Sequence, residues 1–217
     1  MPNHTANILE ICGSKSEIDR FVQQVTSKYE DGDDHNFDFN KIVEMPECLN
    51  IGGVPGDSGE PEAVLQAKID DPKTEDWDRE QADKVLQMRK NKREVGYASW
   101  YDWCIDKWGT KWGAYDIGDW QFFAHNDKYF GCLYYQTAWS PPTELLIEAS
   151  RQFHDLNFVN LAVDEGGGFV VQQFFDNGEL SEIDYDWSSE EGIAIRQKCG
   201  YWYDDEEEDY EDEDDNE

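Results

Sequence analysis

The residue types able to do chemistry in this chain are its carboxylates, thiols and imidazoles, and only the carboxylates are arranged in a way that suggests a use. The chain has 217 residues and carries 50 Asp and Glu against 18 Lys and Arg, a net charge of −32. Twelve of the acids fall within residues 204–217: Asp204, Asp205, Glu206, Glu207, Glu208, Asp209, Glu211, Asp212, Glu213, Asp214, Asp215 and Glu217. Like charge at this density cannot bury apolar surface, so a disordered, solvated arm is expected there, of the kind that serves as an interaction tail. Residues 1–203 still balance at −20, so the folded body is acidic too. Contact with phosphate needs clustered positive charge, which disfavours direct nucleic-acid binding and makes a basic protein surface the natural partner. Solubility, or a salty habitat, is the competing explanation for the same charge.

The other chemical groups form no motif. His4, His35, His125 and His154 do not have the spacing of a histidine metal site such as HExxH. Cys12, Cys48, Cys104, Cys132 and Cys199 contain no CxxC pair, which suits reduced thiols in a cytosol. His4 is expected to be a structural hydrogen-bonding residue. The run 204–217 lacks the loop glycine and ligand spacing of a calcium loop, and the glycines of GGVPGDSG and EGGG lack the Lys and Ser/Thr of a phosphate-binding loop. The expectation is a protein with no catalytic residues, no metal and no cofactor. The N-terminal segment lacks a leader-like pattern and no run of about 18 apolar residues occurs, so no membrane association is expected.

Nine tryptophans stand out among the aromatics. Trp100, Trp103 and Trp108 keep helical spacing and Gly109 can close that helix, with Trp112 following. Interleaved with Lys107 and Lys111, such rings could stack bases, but the acidic surroundings oppose it. Core, or the lining of a groove between subdomains, is the expected role of Trp100, Trp103, Trp108 and Trp112.

The elements that must carry these groups read as follows. Residues 4–11 suggest a strand, and Ser14 with Glu17 a helix start; Ile18, Phe21, Val22, Val25 and Tyr29 keep one helical face. FDFNKIVEMP alternates like a second strand, ending at Pro46. Residues 50–73 suggest a mobile loop within an insertion spanning about 44–120. A helix capped by Thr74 follows, acidic at its start and ending in Arg89, Lys90, Lys92 and Arg93, a cluster that either complements the helix dipole or offers a docking site for phosphate or for the acidic arm. One or two strands lie in FFAHNDKYFGCLYYQTAW, then a helix with Ser140 as cap and Pro141 at its first position. Three strands over 158–163, 169–175 and 179–185 close the domain, the last two joined at Asp176, Asn177 and Gly178. The sum is an α+β fold, a ferredoxin-like antiparallel sheet with helices on one face, a helical insertion and a C-terminal β-hairpin, over residues 1–203.

Four segments, MPNH, FDFNKIVEMP, YDWCIDKWGTKWGAYD and TAWSPP, resemble the YubB ferredoxin-like group of phage and plasmid proteins, a family of unknown function. The resemblance covers most of residues 1–165 and implies the same fold and a mobile-element setting, in a bacterial cytoplasm. That group has no established catalytic residues to carry over, and its members are not generally this acidic. Charge and setting together lead to one expected function: an accessory protein that imitates nucleic acid and inhibits a host defence complex by occupying its basic groove. The alternative is a non-catalytic interaction module that binds its partner through residues 97–120, with acidity serving solubility.

Overall fold

The computed structural model describes residues 3–29, 32–126 and 128–201. Its centre is β1 (His4–Gly13), which pairs antiparallel on one side with β5 (Lys128–Ala138) and on the other with β6 (Asn157–Asp164). With β4 (Gln121–His125), α1 (Lys15–Val25) and α5 (Thr143–Gln152), these strands make the βαββαβ arrangement of a ferredoxin-like fold, in the spatial order β4-β5-β1-β6. β7 (Val170–Asp176) and β8 (Glu179–Asp184) extend the sheet beyond β6, giving six strands in the order β4-β5-β1-β6-β7-β8.

Local chemistry explains why these segments form. The Ser14 hydroxyl accepts from the Glu17 backbone N–H and starts α1, whose Ile18, Phe21 and Val25 then fall on one face. That face meets Leu9 and Ile11 of β1 and the α5 residues Leu145, Leu146, Ala149 and Phe153 in one core. Phe21 sits at its middle, edge-on to Phe153 at 5.0 Å and to Phe158 at 5.2 Å. The β7–β8 connection needs two successive positive φ angles, supplied by Asn177 at 46° and Gly178 at 84°. A Cβ on Gly178 would also lie 2.3 Å from Nε of Arg151, so the position is restricted by space as well as by dihedral.

The segment between α1 and β4 departs from expectation. FDFNKIVEMP is not a strand: Phe39–Lys41 form a 3₁₀ turn, and the only pairing nearby is a two-residue hairpin, β2 (Ser27–Lys28) with β3 (Asp34–His35). The reason is local competition for the backbone. Asp38 Oδ1 accepts from the Asn40 N–H and Asn40 Oδ1 from the Met45 N–H, while Phe37 and Phe39 are buried without a ladder. The second strand of the ferredoxin unit is instead β4, more than 80 residues further on. The helices α2 (Glu62–Asp70), α3 (Asp76–Glu94) and α4 (Trp100–Trp108) fill the interval.

Two cap expectations are also corrected. α3 starts at Asp76 without a side-chain cap, and the Thr74 carbonyl accepts instead from Arg79. α5 starts at Thr143, with Ser140 donating its hydroxyl to the Gly109 carbonyl. Gly109 does close α4, at φ 80°. A further helix, α6 (Glu190–Lys198), was not legible: its Ile195, with Cys199 just beyond, packs against Ala6, Leu161, Val163 and Val170, the face of the sheet opposite α1 and α5. Helices therefore lie on both faces, with α1 and α5 forming the ferredoxin layer.

Candidate partner-binding surface

The sheet ends in two very different edges, and the C-terminal one is a row of carboxylates. Between Arg151 and Arg196 the sequence has ten acids and neither Lys nor Arg. All ten are exposed except Asp164, which accepts the Gly168 N–H. Five of them run along the β7–β8 hairpin and just past it: Asp176 faces Glu179 across the turn, Glu182 pairs in register with Gln173, Asp184 with Val171, and Asp186 follows. Glu182 and Asp184 lie on one face of β8, roughly 7 Å apart as alternate strand positions must be. The chain then places Glu190 and Glu191 in the first turn of α6, where Ser189 caps the Gly192 N–H and the helix dipole favours negative charge.

None of Glu179, Glu182 and Asp184 has an ion-pair partner among the described residues, whereas several acids of the insertion are paired with Lys or Arg. Asp57 receives Nε and Nη2 of Arg89, and the same guanidinium donates to the Glu60 carbonyl. Lys68 bridges to Glu60, Arg93 to Glu62, Arg79 to Asp76 and Lys84 to Glu80. The Asp57 carboxyl is held down to about 2, chiefly by its hydrogen bond from Arg89 and then by the Gly59 N–H. Arg89 and Arg93 are thus committed to the loop before α2 and to α2 itself, and the basic cluster at the end of α3 acts as a clasp on its own insertion. Uncompensated negative charge is left on the β7–β8 edge.

Glu182 is held in place from inside. Its carboxylate accepts from Nε2 of the buried Gln173 at 2.6 Å, and Gln173 also donates to Thr143 Oγ1 at 2.9 Å. Behind it the polar series continues across the sheet: Asn160 Nδ2 donates to Asn7 Oδ1, Tyr135 Oη to Asn160 Oδ1, and Asn7 Nδ2 to Thr137 Oγ1. Nothing in the local sequence pattern announced this network or the β8 carboxylates. The one available signal was the absence of Lys and Arg over the 44 positions between Arg151 and Arg196.

Of the four tryptophans expected to be core or groove lining, two are core. Trp103 and Trp108 are buried, 5.2 Å apart edge-on, and Trp108 donates Nε1–H to the Val43 carbonyl. Trp100 is half-buried and donates to the Gly52 carbonyl, pinning the glycine-rich loop to α4. Trp112 is half-buried, with the Lys111 ammonium 4.6 Å from its ring and 4.5 Å from the exposed ring of Trp139, which meets Tyr101 and through it Trp100. The arm residues Asp204, Asp205, Glu206, Glu207, Glu208, Asp209, Glu211, Asp212, Glu213, Asp214 and Asp215 lie outside the described residues.

The remaining chemical groups are quiet. Tyr115 donates its one hydroxyl proton to the Thr137 carbonyl, so His4 Nδ1–H donates into Tyr115 Oη at 2.6 Å, and the His4 backbone N–H donates to Glu165 Oε1. His4 borders a cavity of about 390 Å³ that also includes Lys198 and Cys199. Burial pushes the Cys199 and Cys104 thiols up to about 12, so neither is a thiolate near neutrality. Among the described residues no three His, Cys, Asp or Glu side chains are grouped to hold a metal, and no helix is long and apolar enough to cross a membrane.

A family model described as the ferredoxin-like domain in Api92-like protein matches residues 120–217. This stretch contains β4 through α6, and shares only TAWSPP with the four segments that carry the YubB resemblance. The crystal structure of protein api92 from Yersinia pseudotuberculosis is similar at a TM-score of 0.46 and 13% identity, covering 85% of this chain and 98% of that one. No curated protein matches the chain.

Proposed function

We propose that this protein is a non-catalytic inhibitor of a nucleic-acid-binding partner, whose basic groove it occupies with the β7–β8 edge and the acidic run 204–217. The observation that carries this reading is a contrast in charge pairing: Asp57, Glu60 and Glu62 of the insertion are bound by Arg89, Lys68 and Arg93 of the same chain, while the carboxylates of β8 face solvent without an ion pair. Carboxylates on an edge strand also discourage strand pairing, which two or three would accomplish. A cation-free interval that continues into α6 exceeds that need and presents an extended anionic surface. The YubB resemblance points the same way, to a mobile element acting inside a bacterial cytoplasm, where the basic groove would belong to a host defence complex.

A surface group made of the exposed Tyr101 and Trp139 with the half-buried Lys111 and Trp112 favours a second reading, in which a partner docks on this aromatic cluster. Salt separates the two. Capture from bacterial lysate at low and high ionic strength, followed by competition against labelled DNA or RNA, is expected to give a basic partner lost at high salt and stoichiometric displacement of nucleic acid. Simultaneous binding of protein and nucleic acid without loss of affinity would refute the inhibitor reading; retention at high salt would favour the aromatic cluster.

A further inference from the structure

The other edge of the sheet is the chemical opposite of β8. β4 reads Gln-Phe-Phe-Ala-His, all five residues are exposed, and it ends the sheet. Phe122 and Phe123 are 42% and 51% exposed. A strand of this composition lacks the chemical guards of an edge: it has no Lys, no Glu, no Pro and no bulge in its pairing with β5. Across residues 120–143 the sequence has one acid, Asp127, and one base, Lys128, so this hairpin is electrically neutral in a chain of net charge −32.

We propose that β4 is where two copies of this chain join, antiparallel and centred on Phe123, so that their two six-stranded sheets become one. Three features favour a second copy over an unrelated strand. The sequence is self-complementary about its centre: Phe123 meets its own counterpart, Phe122 meets Ala124, and Gln121 meets His125. Opposed residues then share a face, because each pair differs by an even number of positions, and the ferredoxin helices of both copies stay on one side. Phe123 already stacks on Phe130 at 5.0 Å with planes 6° apart, and the two-fold axis would continue this pair into a row of four rings. Finally, two molecules of this charge can meet at low electrostatic cost only where each is neutral, and β4 with β5 is such a surface.

Five paired residues per copy make a small interface, so the dimer is weak and depends on concentration. Its dependence on salt is opposite to that of a charge-mimicry complex, because salt screens the repulsion between two acidic bodies. Failure of either idea can thus be told from failure of the other.

Sedimentation velocity of the full chain over a concentration series, at low and at moderate salt, tests the proposal. A monomer–dimer equilibrium is expected that shifts toward dimer as salt rises. Phe123→Lys is expected to give monomer at every concentration while keeping the native circular dichroism spectrum, although it lowers the net negative charge and so relieves general repulsion. Ile183→Lys on β8 should leave the dimer intact. Should Phe123→Lys fold poorly, amide exchange of residues 121–125 in the unaltered protein supplies the same test, since it should slow as concentration rises. A monomer throughout, a dimer that survives Phe123→Lys, or exchange independent of concentration would each overturn the assignment, the first of them leaving the edge to another protein's strand.

Discussion

Gln173 donates its side-chain amide to Glu182 at 2.6 Å across the β7–β8 pair, so that a buried residue fixes the direction of an exposed charge. Gln173 has a second acceptor in Thr143 Oγ1, and through Asn160 it touches the polar series that crosses the sheet. Replacing it with Leu takes a partner from the half-buried Thr143 hydroxyl and from an N–H of the buried Asn160, and frees Glu182. The expected loss is about 1–3 kcal/mol, read as a lower urea midpoint. Glu182→Gln keeps an acceptor oxygen at an exposed site and should leave stability nearly unchanged while weakening capture by a basic partner.

Trp108 and Trp112 should behave oppositely despite their proximity in sequence. Trp108→Ala removes a buried ring that meets Phe39 and Trp103, with an expected cost of roughly 3–5 kcal/mol by chemical denaturation. Trp112→Ala, at a half-buried site beside Lys111, should cost much less.

The Asp57–Arg89 clasp gives a pH prediction. The folded-state pKa of Asp57 is depressed to about 2 from 3.8, so its contribution to order is complete above about pH 4 and is lost as pH falls toward 2. A carbon-detected NMR titration of the Asp57 carboxyl should place its midpoint near 2. Arg89→Ala should raise that midpoint toward the normal carboxylate range and speed amide exchange at Gly59, whose N–H donates to the same carboxylate.

Thiol labelling should be sharply selective. Cys48 is exposed, whereas burial raises the Cys104 and Cys199 pKa values to about 12. At pH 8, alkylation monitored by mass spectrometry should modify Cys48 first and leave Cys104 and Cys199 unlabelled in the native protein.

Deleting residues 204–217 removes twelve carboxylates and should flatten the salt dependence of partner binding without eliminating it, since the β7–β8 edge keeps its own. Complete loss of binding would assign the interaction to the deleted run alone.

Much of the fold was legible wherever a turn or cap demands one residue type. Ser14, Gly109 and the Asn177–Gly178 pair each announce a conformation that few other side chains permit. FDFNKIVEMP failed because alternation of apolar residues also arises when a 3₁₀ turn buries Phe37 and Phe39, and the decisive bonds come from Asp38 and Asn40. α6 was missed because its inward face is sparse, with Gly192, Ile195 and Arg196 as its buried residues. The surface was harder still. Asp57 and Glu182 look alike in sequence, and only the fold brings a guanidinium to the first and leaves the second without a cation.

The position of β1 between β5 and β6 has a consequence for how the molecule is made. During synthesis β1 must wait for residues 128–138 and 157–164, both far behind it in the chain, before either of its sides is hydrogen-bonded. Contacts so distant along the chain slow folding, because loop closure must precede any reward. During that interval Leu9 and Ile11, both fully buried in the finished protein, are exposed to solvent and to chaperones. Translation halted anywhere before β5 should yield a nascent chain unable to form its own sheet.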